Sequence, residues 1–309
     1  MCSSDLPRFR KRRGREAPAG ERTMYSKRKN ARCLKTLTPF ERVMGHIMPN
    51  RSDAQVYYSD DIDCEILDEY IEKKKAEGIE LTYLDIFTAA TVRLYAKRPA
   101  LNRFIMGGRT FANDKIYVSM AVKKLLRDNC DETTIKVPFT GHENIFEVRD
   151  RMHELIYAQK GMERANGTDK TARLMRIMPN WVLRFAFWWI RFLDKRSMLP
   201  AKLVEVSPFH TSVFITYLKS LGIPGIYHHC YDLGTVGQFI AVGKERRIPV
   251  IDKKTGQVRP GKVITIMVVA DERVCDGLYY ARSMRLFRRV LENPEVLEER
   301  LEVVEEDIA

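Results

Sequence analysis

The residue pattern predicts an α/β fold, a sandwich in which helices cover a mixed sheet. Three observations carry this expectation. Stretches with apolar residues at helical spacing are followed by short β-branched runs bounded by Gly and Pro. The run at residues 263–270, VITIMVVA, is continuous enough for an interior strand. The chain has 309 residues, 45% of them hydrophobic, which suffices for one large domain or two small ones.

Structure is expected to begin near Pro39. Residues 55–62 are short and β-rich, and Asp63 makes an N-cap for a helix through Ile66, Leu67, Tyr70 and Ile71 that ends near Gly78. Residues 81–98 repeat Leu84, Phe87, Thr88, Val92 and Tyr95 at helical spacing and stop before Pro99. Residues 102–122 alternate in hairpin fashion, with Gly107-Gly108 and Asn113-Asp114 as turns. A helix over 144–160 places Ile145, Val148, Met152 and Ile156 on one face. Residues 211–218, 237–243 and 262–270 read as strands, a last helix runs from about 276 to 291, and a short helical piece follows from Glu295.

The net charge of +12 belongs to one end of the chain. Residues 1–35 hold twelve Lys/Arg against three Asp/Glu, while the remaining 41 basic and 38 acidic residues nearly cancel. Residues 1–35 are therefore read as a basic, disordered leader, and 36–309 as the folded domain. Such an arm binds phosphates nonspecifically, but a nucleic-acid partner is not expected of a balanced domain. A mean hydropathy of −0.32 and the lack of a long apolar run exclude a membrane span. No export signal is recognisable, so a cytoplasmic location with six free thiols is expected. The six histidines show no metal-ligand spacing, so no metal is expected. Residues 181–193, WVLRFAFWWIRFL, are the most hydrophobic stretch; they are expected to pack on the protein body or a partner subunit, with a membrane surface as the less favoured alternative.

Directly after the interior strand stands Asp271-Glu272-Arg273-Val274-Cys275-Asp276-Gly277. It resembles the D-H-R-x-x-D-G signature that closes the catalytic domain of dihydrolipoyl acyltransferases of 2-oxoacid dehydrogenase complexes, within the chloramphenicol acetyltransferase-like superfamily. Other segments fall in the family's order. Residues 239–243, FIAVG, resemble its I-L-A-V-G strand, Ser220-Leu221-Gly222 its S-N-L-G turn, and Pro99-Ala100-Leu101-Asn102 its P-x-L-N. Residues 117–122 resemble the strand before its G-x-x-x-P region. The resemblance spans about residues 40–295 and implies a two-layer, chloramphenicol acetyltransferase-like α/β sandwich, a homotrimer with active sites between subunits, and coenzyme A as co-substrate. A lipoyl domain with its D-K-A loop and a peripheral-subunit-binding segment have no counterpart, so a free-standing catalytic domain without lipoyl attachment is expected.

The departure is at Glu272, where the family has the histidine that takes the thiol's proton. A thiol titrates near ~8.5, imidazole near ~6.5 and a glutamate near ~4.3, so glutamate is on the order of 3 kcal/mol the poorer base. Burial raises a glutamate and can recover part of that difference. The alternative is a carboxylate that has lost the chemistry, ion-paired for example with Arg273. The resemblance gives Ser220 the hydroxyl that holds the tetrahedral oxyanion, and makes Asp276 a structural residue tied to an early arginine, Arg42 or Arg51. His228 and His229 are replacement bases; in an extended segment only one of them faces a given site. Cys275 reads as a small buried filler. The expected function is acyl transfer between a thiol, coenzyme A or dihydrolipoamide, and an acceptor, with a separate lipoyl protein as a potential partner. The competing readings are a catalytically inactive trimeric assembly or regulatory protein, and a basic-arm binding protein.

Overall fold

The structure is a computed structural model that describes residues 27, 28, 30–123, 132–161, 178–251 and 255–309. Most of the basic leader, together with Cys2 and Cys130, lies outside the described residues. Order starts earlier than expected. Strands β1 (Lys27–Arg28) and β2 (Ala31–Cys33) precede helix α1 (Pro39–Ile47), so the boundary placed at residue 36 is too late. Ala31 and Leu34 are buried, which gives these residues an apolar reason to join the fold.

Strand β3 (Gln55–Asp63) leads into α2 (Cys64–Ala76), capped by Asp63, whose carboxylate accepts from the Glu65 amide at 2.9 Å. Helix α3 (Tyr83–Lys97) opens on a capping box between Thr82 and Asp85 and is buried on every side. Strands β4 (Arg103–Met106) and β5 (Arg109–Asn113) form the expected hairpin over Gly107-Gly108. The second turn does something else. Asn113 and Asp114 carry the chain from a four-stranded sheet, ordered β1-β2-β5-β4, to β6 (Ile116–Lys123) in the main sheet. β5 and β6 are not partners: β5 pairs with β2 and β4, β6 with later strands, and the Asn113 side-chain Nδ2 turns back to donate to the Asn102 carbonyl at 3.1 Å.

The main sheet continues with β7 (Glu132–Phe139), β8 (Val213–Tyr217), β9 (Gln238–Ile251) and β10 (Val258–Asp271), in the order β3-β10-β9-β8-β6-β7. β8 runs parallel to both β6 and β9 while every other pair is antiparallel, so the sheet is mixed. Strand alternation then sorts the core. Ile215, Ile240, Val242 and Val268 face α2, α3, α4 (Ile145–Gly161) and the last helix, while Phe214, Phe239 and Val269 face the other way. On that second face an extended segment, residues 223–231, crosses the sheet and buries Cys230. Gly243 permits the crossing: a Cβ there would sit 2.3 Å from the Gly225 nitrogen.

Between α4 and β8 lie α5 (Asn180–Lys195) and the short α6 (Ala201–Val206). Helix α7 (Gly277–Leu291) follows the motif; the piece after it is a single 3-10 turn, Pro294–Leu297. Beyond it the chain is an extended strap rather than a helix. The Glu305 amide donates to the Ala96 carbonyl at 2.9 Å, and Asp307 takes Arg103 in a two-bond pair at 2.6 and 2.7 Å.

Candidate active site

β10 delivers the chain to Asp271, and a 3-10 turn, Glu272–Val274, separates it from α7. Asp271 caps that turn: one oxygen accepts from the Arg273 amide at 3.1 Å and from its Nε at 2.7 Å, and the other from its Nη2 at 2.7 Å. The Arg51 Nε lies 3.4 Å from the same carboxylate, and all three side chains are buried. Arg51 also spans to the Tyr231 and Gly234 carbonyls, and Arg273 to the Met48 carbonyl at 2.7 Å. Burial pulls the Arg51 guanidinium below its ordinary range, and Arg273 pulls it further, while Asp271 opposes both.

This corrects two expectations. Arg51 pairs with Asp271 and not with Asp276, and Arg42 is exposed on α1. Asp276 is exposed and caps α7, accepting from the Tyr279 amide at 2.8 Å. Arg273 is likewise taken by Asp271, so it does not pair with Glu272. With its neighbours on either side buried, Glu272 turns outward and is exposed. Among the described residues no ion pair engages it.

Glu272 lines an open cavity of about 770 Å³. Phe40 and Met44 of α1 form one wall, Tyr57 and Tyr58 of β3 another, and Tyr280 of α7 a third. The Tyr280 hydroxyl is buried and has no hydrogen-bond partner among the described residues. Glu41, also on the wall, stays an anion. Burial pushes its carboxyl up, but the Thr38 amide and hydroxyl and the Arg103 charge outweigh that and hold it low. Arg103 also donates to the Val274 carbonyl at 3.2 Å, tying the motif to the strap through Asp307. Burial pushes the Cys275 thiol up to about 12, so it stays protonated, in keeping with a filler.

The remaining candidates are scattered. Ser220 is exposed in a 3-10 turn past β8, its Oγ donating to the Tyr217 carbonyl at 2.9 Å. Val213 and Ala270 both stand beside Gln238, whereas Lys219 reaches Glu245. At ~3.3 Å per strand residue, Ser220 and Glu272 are therefore roughly 20 Å apart, at opposite ends of the sheet. His228 lies flat on Phe239, centroids 4.6 Å apart, and burial lowers its pKa. His229 is exposed beside Tyr231, so the two rings do take different environments. Tyr227 brings this segment to the cavity rim by an edge contact with Tyr57 at 5.3 Å. Sequence reasoning missed the three tyrosines and the α1 wall; the only signal was the aromatic pair Tyr57-Tyr58 in a strand that begins beside the motif, Gln55 pairing with Asp271. Among the described residues no helix is long and apolar enough to cross a membrane, and no group of three or more His, Cys, Asp and Glu is placed to hold a metal ion.

Residues 238–298 match the family model of the 2-oxoacid dehydrogenases acyltransferase catalytic domain. No curated protein matches the sequence. Among solved structures, a probable dihydrolipoamide acetyltransferase from Listeria monocytogenes 4b F2365 superposes with a TM-score of 0.53 at 14% identity, covering 84% of this chain and 94% of that one. The dihydrolipoamide acetyltransferase of Azotobacter vinelandii, studied for the role of a serine, a histidine and an asparagine in its catalytic mechanism, gives 0.54 at 16% identity, over 85% and 93%. The cubic core of a pyruvate dehydrogenase multienzyme complex gives the same score, identity and coverage. The chain thus shares the α/β fold of the dihydrolipoamide acetyltransferase cores and resembles the acyltransferase catalytic domain of the 2-oxoacid dehydrogenases.

Proposed function

We propose that this protein is a coenzyme A-dependent acyltransferase that works as a homotrimer, with Glu272 as the base. The observation that carries the reading is the outward turn of Glu272 into the 770 Å³ cavity, while Asp271 absorbs both nearby arginines. A thiol of coenzyme A or of a dihydrolipoyl group gives its proton to the Glu272 carboxylate. The thiolate sulfur attacks the acyl carbonyl, and the tetrahedral oxyanion accepts a hydrogen bond from Ser220. Collapse expels the second thiolate, which takes the proton back from Glu272, so the enzyme ends as it began. Support comes from spacing: Ser220, Glu272 and Asp276 are separated as the serine, histidine and asparagine of the Azotobacter enzyme are.

The separation of Ser220 and Glu272 in one chain supports a site between copies, with the partner subunit's Ser220 facing Glu272. A closing partner also removes Glu272 from water, the burial a glutamate base needs to approach a thiol in basicity. A separate lipoyl protein is the natural thiol donor for a chain of this kind.

Acyl transfer from acetyl-coenzyme A to dihydrolipoamide tests the reading. Glu272→Gln lowers the rate by the ~10² to 10⁴ of a lost general base, and Ser220→Ala by about 10² to 10³. His228→Ala and His229→Ala keep most activity; loss in either one moves the base to that histidine. The exposure of Glu272 in the single chain favours a second reading, a trimeric assembly or regulatory protein without turnover. Silence of the parent and of Glu272→His, with the trimer intact, supports that second reading.

A further inference from the structure

We propose that α5 is an interfacial helix that lays its aromatic face on a bilayer rich in anionic phospholipid. The helix is amphipathic in an unusual sense, because its apolar face points away from the protein. Trp181, Phe185, Trp188 and Phe192 recur at the spacing of one helical stripe, and Trp189 flanks it. Trp181 is 72% exposed, Phe185 61%, Trp188 55% and Trp189 45%. The rings are assembled into a plate: Phe185 stacks on Trp188 at 5.9 Å, Trp188 on Phe192 at 5.6 Å and Trp189 on Phe192 at 5.4 Å. A patch of this size and order on the outside of a domain marks an interaction surface.

The opposite side of α5 is its anchor. Val182, Leu183, Ala186 and Ile190 are partly covered, and Asp194 is buried, 3.3 Å from Arg28 and 3.0 Å from His210. Burial pushes the Asp194 carboxyl up, but His210 and Arg28 outweigh it and keep it an anion. The only acid of the helix is thus consumed inside the protein. What faces outward is basic: Arg184, Arg191, Lys195 and Arg196 are exposed at and around the aromatic plate. Arg196 covers the Phe192 ring at 3.7 Å.

Charge and chemistry together choose the occupant. Tryptophan and arginine are the residues of the membrane–water boundary, where a ring is half in hydrocarbon and a guanidinium meets phosphate. Sixteen residues reach about 24 Å, too short to cross a ~30 Å hydrocarbon core but sufficient to lie in the headgroup plane. The same helix of a second copy would bring no acid to Arg184 and Arg191, since its Asp194 is buried, whereas anionic lipid supplies the opposite charge.

The chain offers its own reporter, since its three tryptophans, Trp181, Trp188 and Trp189, are all on α5. The full chain is mixed with vesicles of phosphatidylcholine, with and without one third phosphatidylglycerol, and followed by tryptophan emission and co-sedimentation. The expected result is a blue shift and sedimentation with the anionic vesicles, weakened by added salt. Arg184→Gln with Arg191→Gln lowers the partition roughly 25-fold, about fivefold per basic residue at an anionic surface. Trp181→Ala with Phe185→Ala and Trp188→Ala, all exposed positions, lowers it at least about tenfold with an unchanged circular dichroism spectrum. Removal of residues 1–23 leaves the blue shift in place. The proposal is overturned if no vesicle shifts the emission, if removing 1–23 abolishes the shift, or if the emission is already blue without lipid and reddens on dilution, which assigns the face to a second copy.

Discussion

Replacing Asp271 is the sharpest probe of how the motif is built. Its carboxylate is 1% exposed and holds two guanidinium groups that are themselves buried, Arg273 through two bonds at 2.7 Å and Arg51 at 3.4 Å. Asp271→Ala leaves both charges in the interior with nothing opposite them, a loss of about 3–5 kcal/mol by the behaviour of broken buried pairs. Counting bonds gives the same size, because two charge-assisted bonds contribute about 1.5–3 kcal/mol each. Asp271→Asn retains one acceptor and falls between the parent and the alanine variant. Asp276→Ala removes only an exposed helix cap and costs about 1 kcal/mol. Urea unfolding at neutral pH measures the three midpoints, and the parent's m-value is expected to persist. Equal losses for Asp271→Ala and Asp276→Ala, or a loss under about 1 kcal/mol for the first, would refute the assignment of Asp271 as the anchor.

Further expectations concern other parts of the molecule. Gly243→Ala drives a methyl into the Gly225 backbone 2.3 Å away, so the segment carrying His228 must lift and stability falls by about 1–3 kcal/mol in a denaturation series; an unchanged midpoint contradicts the crossing. Lys136 is held down to about 8 by burial and by the Arg28 charge, against 10.5 for an ordinary lysine. Between these two values the unfolded chain binds the proton and the folded one does not, so stability rises with pH across that window. Lys136→Met flattens that rise and is the more stable protein at pH 7; a parallel pair of curves shows that the amine is not buried. Removing residues 1–23 leaves the thermal midpoint within a degree or two, and a large drop shows that the leader packs on the domain. Light scattering at micromolar concentration gives the mass of three chains, and a monomer refutes the trimer.

Much of the architecture was legible because local signals agreed with the global fold. Asp63 before an apolar-periodic segment is a cap in the structure, and the continuous run ending at Ala270 is an interior strand with neighbours on both sides. β7 was not read, although Ile135, Val137 and Phe139 alternate inward, because Pro138 stands inside the run and argues against a strand; the sheet tolerates it because β7 is an edge strand. The turn at Asn113-Asp114 misled for the opposite reason: its residue types fit a hairpin, and only the tertiary bond to Asn102 shows that the chain changes sheets there. The motif itself was legible, but the choice of Arg51's partner was not, since Asp271 and Asp276 look alike in sequence and differ only in burial. The distance between Ser220 and Glu272 follows from β8 running parallel to β9, a pairing with no local signature.

The central claim is that a coenzyme A thiol meets Glu272, and a crystal structure of the trimer with coenzyme A bound tests it most directly. The account predicts the sulfur in the cavity walled by Phe40, Tyr57 and Tyr280, within about 4 Å of a Glu272 carboxylate oxygen and facing the partner subunit's Ser220. A cavity left empty at saturating coenzyme A, or a sulfur seated against His228 or His229 with Glu272 pointing to water, would contradict it.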